Sequence, residues 1–313
     1  MCVNKTKTTN YTKKTATAAK QITYFYQKIL LKQPATCQNR IFRFFVCRTM
    51  TPILVFDIET IPDVRAIRLL HSLPDSVGDD EVVEFAAQQR RAKTGSDFMP
   101  HHLQQVVAIS CCLRWNDKVH IGTLGKPDSG EAEMVGEFFR LIGKYTPQLV
   151  SWNGGGFDLP VLHYRALIHG VQAARYWNMG EGDFADSKDF KFNHYLARYQ
   201  QRHCDLMDLL ALYSGRANAP LDELAKMCGF PGKLGMDGSQ VWQAYRDGQI
   251  QSIRDYCETD VANTYLVYQR FGLMNGRLSR EEYENELELL REHLYAQAEE
   301  KPHWDEFLES WDE

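Results

Sequence analysis

Ile53-Leu54-Val55-Phe56-Asp57-Ile58-Glu59-Thr60 is an unbroken apolar tetrad that runs straight into two acids. A short apolar, β-branched run of this kind suits a strand covered on both faces, at the centre of a sheet. On a strand, residues i and i+2 face one side, so Asp57 and Glu59 project together where the strand runs out. Two carboxylates held side by side repel one another unless a cation sits between them. Alone, the pair fits a charged surface equally well, and its meaning depends on what else the chain brings beside it.

Downstream, Val106 to Leu113 reads as a second strand and Val119 to Leu124 as a third, joined in a hairpin through Asn116-Asp117. Glu131 to Ile142 carries Met134, Phe138, Phe139 and Ile142 at helical spacing. Gln148 to Trp152 is a further strand, closed by Asn153-Gly154-Gly155-Gly156, and Phe157 to His169 is a helix entered through that glycine turn. Residues 174–203 read as an insertion of loops and short helices. Leu221 to Cys228 and Gln240 to Tyr245 read as short helices, and Ile250 to Phe271 as a long one. The expectation is a mixed α/β sheet layered with helices.

The chain has 313 residues, 44% hydrophobic and 25% charged, which is ordinary for a globular protein and rules out collagen-like, coiled-coil and wholly disordered classes. It has no run of 18 or more apolar residues that could form a transmembrane helix. The eight cysteines show no C-x-x-C pair and no zinc-ligand spacing, so free thiols in a reducing cytosol are expected. The net charge of −5 conceals an asymmetry: residues 1–49 carry seven Lys, three Arg and no acid, while residues 280–313 carry thirteen acids against three bases. Residues 1–49 are read as a basic, disordered extension ahead of Met50, with a transit peptide or a nucleic-acid arm as the alternatives. Residues 50–275 are read as the working domain and 276–313 as an acidic helical tail, with Tyr283, Leu287, Leu290 and Leu294 on one stripe.

Two more elements bear chemistry. In Asn153-Gly154-Gly155-Gly156-Phe157-Asp158, the glycines admit close backbone approach and set Asp158 in the first turn of the next helix, with Phe157 available to stack on a base. In Tyr256-x-x-x-Asp260, spacing of four puts a phenol and a carboxylate on one helix face. Together with Asp57 and Glu59 these supply four hard oxygen donors, which suit Mg²⁺ or Mn²⁺ rather than zinc. Two such ions about 3.5–4 Å apart can clamp the attacking and leaving oxygens of a phosphodiester.

Phe56-Asp57-Ile58-Glu59-Thr60, Asn153-x-x-x-Phe157-Asp158 and Tyr256-x-x-x-Asp260, in this order, resemble the three motifs of the DEDD superfamily of 3′–5′ exonucleases. Tyr256 four before the last aspartate resembles the DEDDy branch. The strings His203 to Asp208, Gly235 to Trp242 and Asp255 to Val261 resemble bacterial predicted exonucleases akin to the proofreading domain of family-B DNA polymerases. The resemblance covers roughly residues 52–272. It implies a ribonuclease H-like fold, a mixed five-stranded sheet flanked by helices, and two Mg²⁺ or Mn²⁺ ions per site. It implies that Asp57, Glu59 and Asp260 hold the metal that activates water. Asp57 would bridge to a second ion, with Asp158 supporting it. Tyr256 would orient the water, since a phenol of pKa near 10 is a poor base at neutral pH. Backbone at Thr60 and Ile61, with the side chains of Asn153 and Phe157, would meet the 3′-terminal nucleotide.

The leading expectation is a metal-dependent 3′–5′ exonuclease of single-stranded ends, DNA favoured over RNA, that releases nucleoside 5′-monophosphates. It would be cytoplasmic, without membrane contact, and would act alone or beside a separate polymerase or repair partner. A catalytically inactive nucleic-acid-binding domain and a ribonuclease H-like endonuclease are the alternatives. An aspartyl phosphatase would want a second Asp where Glu59 stands and leaves the glycine and tyrosine motifs unexplained. Arg90, Arg91 and Lys93, and Lys188, Lys191, Arg198 and Arg202 with Trp177, Phe192, Tyr195 and Tyr199, are candidates for a phosphate and stacking track. His101, His102 and His203 read as ordinary loop or core histidines.

Overall fold

The computed structural model describes residues 51–182 and 186–312, so the reading of residues 1–49 lies outside the described residues. The Ile53 run extends into β1 (Ile53–Pro62). It is followed by β2 (Gln104–Trp115), β3 (Lys118–Thr123), β4 (Gln148–Ser151) and β5 (His203–Asp205). The order across the sheet is β3-β2-β1-β4-β5. β1 lies antiparallel to β2 and parallel to β4, while β2–β3 is antiparallel and β4–β5 parallel. This is the mixed five-stranded α/β sheet that the sequence implied. Its register shifts between Glu59 and Thr60 in the pairing with β2, at the point where the candidate acids lie.

Helices α1 (Val64–His71) and α2 (Asp79–Thr94) fill the connection from β1 to β2, a stretch in which the sequence reading assigned no element. Then come α3 (Glu131–Tyr145), α4 (Asp158–His169), α5 (Ser187–Phe192), α6 (Leu206–Leu210), α7 (Leu221–Met227), α8 (Val241–Arg246), α9 (Ile250–Met274), α10 (Arg280–Gln297) and α11 (His303–Asp312). No helix among the described residues is long and apolar enough to cross a membrane. Cys111, Cys112, Cys204, Cys228 and Cys257 are free thiols.

The strand's alternation decides which face each acid takes. Leu54, Phe56 and Ile58 enter one core with Phe138, Phe139 and Ile142 of α3 and Leu159 and Leu162 of α4. Ile53 and Val55 enter the other with Val261, Tyr265 and Leu266 of α9. Fully burying such a side chain is worth about 1.5–3 kcal/mol, so a register slip that exchanged the faces would be heavily disfavoured. Asp57 and Glu59 share the parity of Ile53 and Val55. They are therefore sent toward α9, the helix that carries Tyr256 and Asp260.

α9 is held from both sides. Leu290 and Leu294 of α10 and Trp304, Phe307 and Trp311 of α11 belong to the same core as Val55 and Val261. Ser279 caps α10 by accepting the Glu282 N–H, and its own N–H donates to the Glu282 carboxylate. Glu258, buried in α9, accepts from Lys301 Nζ at 2.8 Å and from His303 Nε2 at 3.1 Å. Burial works against its charge, but the bonds from His303 and Lys301 prevail and lower its pKa to about 2. Residues 276–312 thus contribute an apolar stripe to the core, while most acids of α10 face solvent.

Candidate active site

Four carboxylates come within reach of one another's charge, and each arrives by a different local device. Asp57 and Glu59 come from β1, the latter buried. The chain leaves β4 through Asn153, whose φ of 65° lies in the left-handed region that Asn tolerates. The N–H groups of Gly156 and Phe157 both donate to the Asn153 carbonyl at 2.9 Å, and Leu159 N–H donates to the Gly154 carbonyl at 2.8 Å. A Cβ on Gly154 would collide with the Ser151 side chain, so glycine is required there. This turn delivers Asp158, buried, at the first position of α4. Asp260 and Tyr256 sit one turn apart on α9, both buried.

Burial and neighbouring charge act on each of these groups. Burial first, then the charges of Asp158, Glu59 and Asp260, raise the Asp57 pKa well above its ordinary value. Glu59 is raised well above its own by burial and then by Asp260. Asp158 is pushed up to about 7, chiefly by burial, although its own N–H and that of Ile58 hydrogen-bond its carboxylate. Asp260 is raised by burial against the pull of Lys233. One Asp260 oxygen, Oδ1, is buried without a hydrogen-bond partner. Ligand atoms of Asp57, Glu59 and Cys257 lie within 4.8 Å of one another, a group that does not include Asp158 or Asp260.

Crowded, desolvated oxygens with an orphaned acceptor are what a divalent cation would neutralise, and the donors fit Mg²⁺ or Mn²⁺. Cys257 adds a buried thiol beside them, with Sγ 3.7 Å from Asp57 Oδ2 and 3.5 Å from the Asp57 carbonyl. Its pKa is raised well above normal by burial and by Asp57 and Glu59, so it stands there as a neutral thiol.

Lys233 is part of this constellation and was missed in the sequence. Its Nζ donates to the Tyr256 hydroxyl at 2.6 Å and lies 3.6 Å from Asp260 Oδ2. The loop that carries it is fixed by Asn263 of α9, which accepts from Gly232 N–H at 3.0 Å and donates to the Gly232 carbonyl at 2.7 Å. Gly232 and Gly235 bracket Lys233, both with positive φ, and that was the available signal. The Tyr256 phenol is raised by burial and then by Asp260, and it hydrogen-bonds to the Asp260 carboxylate. It is therefore a protonated donor at neutral pH, not a base.

Beside the acids lies a cleft of about 630 Å³ lined by Glu59, Thr60, Asn153 and Phe157, and also by Phe98, His101, Gln104, Arg91 and Trp242. Three of the four expected nucleotide-binding residues thus meet in one cavity. The Ile61 side chain does not line it and is buried against Val107, Ile253 and Tyr256.

His101 is no bystander in this cleft. Its Nε2–H donates to the Gly156 carbonyl at 3.0 Å, and its ring lies 5.6 Å from that of Phe157. The exposed Phe98 ring also packs on Phe157, at 5.6 Å. Arg91 borders the cleft in an ion pair with Asp97. Lys188, Lys191, Arg198 and Arg202 do not line it. Of these, Arg198 pairs with Asp208, and Arg202 stacks on Phe190 at 4.0 Å. Tyr195 is buried in the core, whereas Trp177, Phe192 and Tyr199 are exposed.

A family model described as a predicted 3′–5′ exonuclease related to the exonuclease domain of PolB matches residues 96–311. The matched span includes Asp158, Lys233, Tyr256 and Asp260, while Asp57 and Glu59 precede it. No curated protein matches the chain. Among solved structures, the family B DNA polymerase from the hyperthermophilic archaeon Pyrobaculum calidifontis is similar at 16% identity and a TM-score of 0.43. That likeness covers 69% of this chain and 24% of the polymerase, so this chain spans about a quarter of that protein's length.

Proposed function

The chain belongs to the family of predicted 3′–5′ exonucleases related to the exonuclease domain of PolB, and on that premise we propose that it hydrolyses the terminal phosphodiester of single-stranded 3′ ends, DNA in preference to RNA. The products are nucleoside 5′-monophosphates. The observation that carries the reading is the convergence of Asp57, Glu59, Asp158 and Asp260 within reach of one another's charge, with Asp57 and Glu59 raised by the others' charge as well as by burial and Asp260 Oδ1 unpartnered.

Asp57, Glu59 and Asp260 would hold one Mg²⁺ or Mn²⁺ ion, and Asp57 with Asp158 a second. Bound there, the two cations lower the pKa of water and offset charge on the attacking and leaving oxygens. The chain's own groups do the rest. Tyr256, kept protonated and steadied by Lys233 at 2.6 Å, orients the attacking water by hydrogen bonding without removing its proton. Phe157, backed by Phe98 and His101, offers a stacking face for the terminal base. Thr60 and Asn153 line the same cavity beside the sugar's expected position.

An end, rather than a strand passing through, suits the cleft. Arg246 of α8 bonds Asp80 of α2 at 2.8 Å. Both helices also line the cleft, through Trp242 of α8 and Val83 and Glu84 of α2. The test is incubation with 5′-labelled and 3′-labelled DNA and RNA oligomers in Mn²⁺, Mg²⁺ or EDTA, beside Asp57→Ala. The proposal expects a ladder that shortens from the 3′ end, is faster on DNA, and is absent in EDTA and in the variant. A single internal product would favour the endonuclease.

A further inference from the structure

One buried carboxylate beside the site has no part in that mechanism. Asp205 ends β5, opposite Ser151 of β4 in the parallel register, and is 9% exposed. Its Oδ1 accepts the N–H of Asn153 at 3.0 Å, and its Oδ2 accepts the N–H of Gly155 at 2.8 Å. The Asp208 N–H also donates to Oδ1, at 3.3 Å, which caps α6. A buried ion is tolerated only when hydrogen bonds replace its water, and here two of the three donors belong to the glycine turn.

The turn is wound around that carboxylate. A Cβ on Gly155 would stand 3.1 Å from Asp205 Oδ2. A Cβ on Gly156 would stand 2.5 Å from Asn153 Oδ1, because the Asn153 side chain folds back across the next residues. The backbone at Asn153 is left-handed, a conformation that Asn tolerates and that the bonds around the turn hold in place. Within six residues the same turn presents Asn153, Phe157 and Asp158 to the cleft and to the carboxylate cluster. The strand pair does not depend on Asp205 for its pairing, since Leu149↔His203 and Val150↔Cys204 continue the ladder. Ser151 Oγ and His203 Nε2 add a bond of 2.8 Å between the same strands.

We propose that Asp205 is a positioning residue: by gripping the N–H groups of Asn153 and Gly155 it sets the turn that offers Asn153 and Phe157 to the 3′-terminal nucleotide and Asp158 to a divalent cation. This rests on the exonuclease reading and adds to it a residue that touches neither substrate nor metal. Its partner in the test is Asp208, a nearby acid that bonds Arg198 at 2.5 Å and leaves the turn alone.

The experiment compares wild type, Asp205→Asn and Asp208→Asn. The amide keeps the shape at 205 but turns one acceptor into a donor that faces a donor. Steady-state kinetics on a 5′-labelled single-stranded oligomer separate KM from kcat, and electron paramagnetic resonance of free Mn²⁺ reads cation binding without turnover. Outer carboxylates of this kind are typically worth 10- to 100-fold. Asp205→Asn is therefore expected to raise KM about tenfold or more and weaken Mn²⁺ binding about tenfold, with a melting temperature in EDTA within a few degrees of wild type. Asp208→Asn should stay within about twofold on both.

Unchanged KM and Mn²⁺ binding in Asp205→Asn would overturn the assignment. If that variant does not fold, Gly155→Ala crowds the same contact from the other side, and wild-type KM and Mn²⁺ binding in Gly155→Ala would overturn it equally. Should wild type cleave nothing, the exonuclease reading falls, while the Mn²⁺ comparison still decides whether Asp205 shapes the site.

Discussion

Replacing Asp57 by Asn should make the metal-free protein more stable, the reverse of what removing a buried charged group usually does. Ligand atoms of Asp57 and Glu59 lie within 4.8 Å, and at an effective dielectric near 20 two full charges at that distance repel by about 3.5 kcal/mol. The raised pKa values of both groups mean that partial protonation already relieves some of this at neutral pH. A net gain on the order of 1–2 kcal/mol is therefore expected for Asp57→Asn in EDTA. For a domain this large that is a rise of about 2–8 °C in melting temperature. Wild type in Mn²⁺ at a hundredfold excess over its dissociation constant should gain about 2.7 kcal/mol, and the variant only a small fraction of that. Scanning calorimetry of both proteins, in EDTA and across a Mn²⁺ series, reads both signs at once. A variant that melts lower than wild type in EDTA and keeps the full Mn²⁺ shift would refute a cation-neutralised cluster.

Tyr256→Phe should lower kcat on the order of 10- to 100-fold with little change in KM, as expected when one positioned hydrogen bond is lost. Lys233→Met should do the same through the 2.6 Å contact, and neither change should remove a limb from the pH–rate profile. Circular single-stranded DNA should resist wild type. Arg246→Ala, which removes the ion pair between α8 and α2, should raise the rate of cutting the circle relative to linear DNA in an agarose assay, and an unchanged ratio would discount closure of the cleft. His293 accepts the Ile121 N–H at 3.1 Å, and burial lowers its pKa to about 4 from 6.5. Its folded pKa being depressed, the unfolded chain takes the proton first, so its contribution is intact above about pH 6.5 and is lost as pH falls toward 4. His293→Gln, which keeps an acceptor, should flatten that part of the urea-midpoint profile between pH 7.5 and 5.

Much of the sheet could be read from the sequence because its signals are local. The Ile53 tetrad, the Asn116-Asp117 hairpin and the apolar run of β4 each carry their pattern within a few residues. β5 did not announce itself: three residues are too few to display alternation, and only its neighbours in space make it a strand. α1 and α2 went unread because α2 buries little beyond Val82, Ala86 and Ala87, which leaves a weak apolar stripe. The carboxylates and Tyr256 were legible as residue types at fixed spacing. Lys233, His101, Phe98 and Trp242 were not, since each reaches the site from a loop or helix whose course is set by tertiary packing. Asp205 lies in the string His203 to Asp208, but what it does depends on two main-chain N–H groups, which no side-chain pattern reveals. The parity of Ile61 on β1 turns its side chain inward, into the cluster that holds Tyr256, which leaves the expected role to its backbone.

The bonds from Lys301 and His303 to Glu258 have a practical consequence for anyone shortening this chain. Glu258 lies two positions before Asp260 on one rigid helix, so whatever steadies the first also fixes the height and rotation of the second. Clipping after residue 275 would leave every candidate ligand in place, yet it would strand a buried anion and uncover Leu266, Tyr265 and their neighbours. A protease map that looked only for the acids would judge such a fragment complete, and it would be the wrong fragment to express.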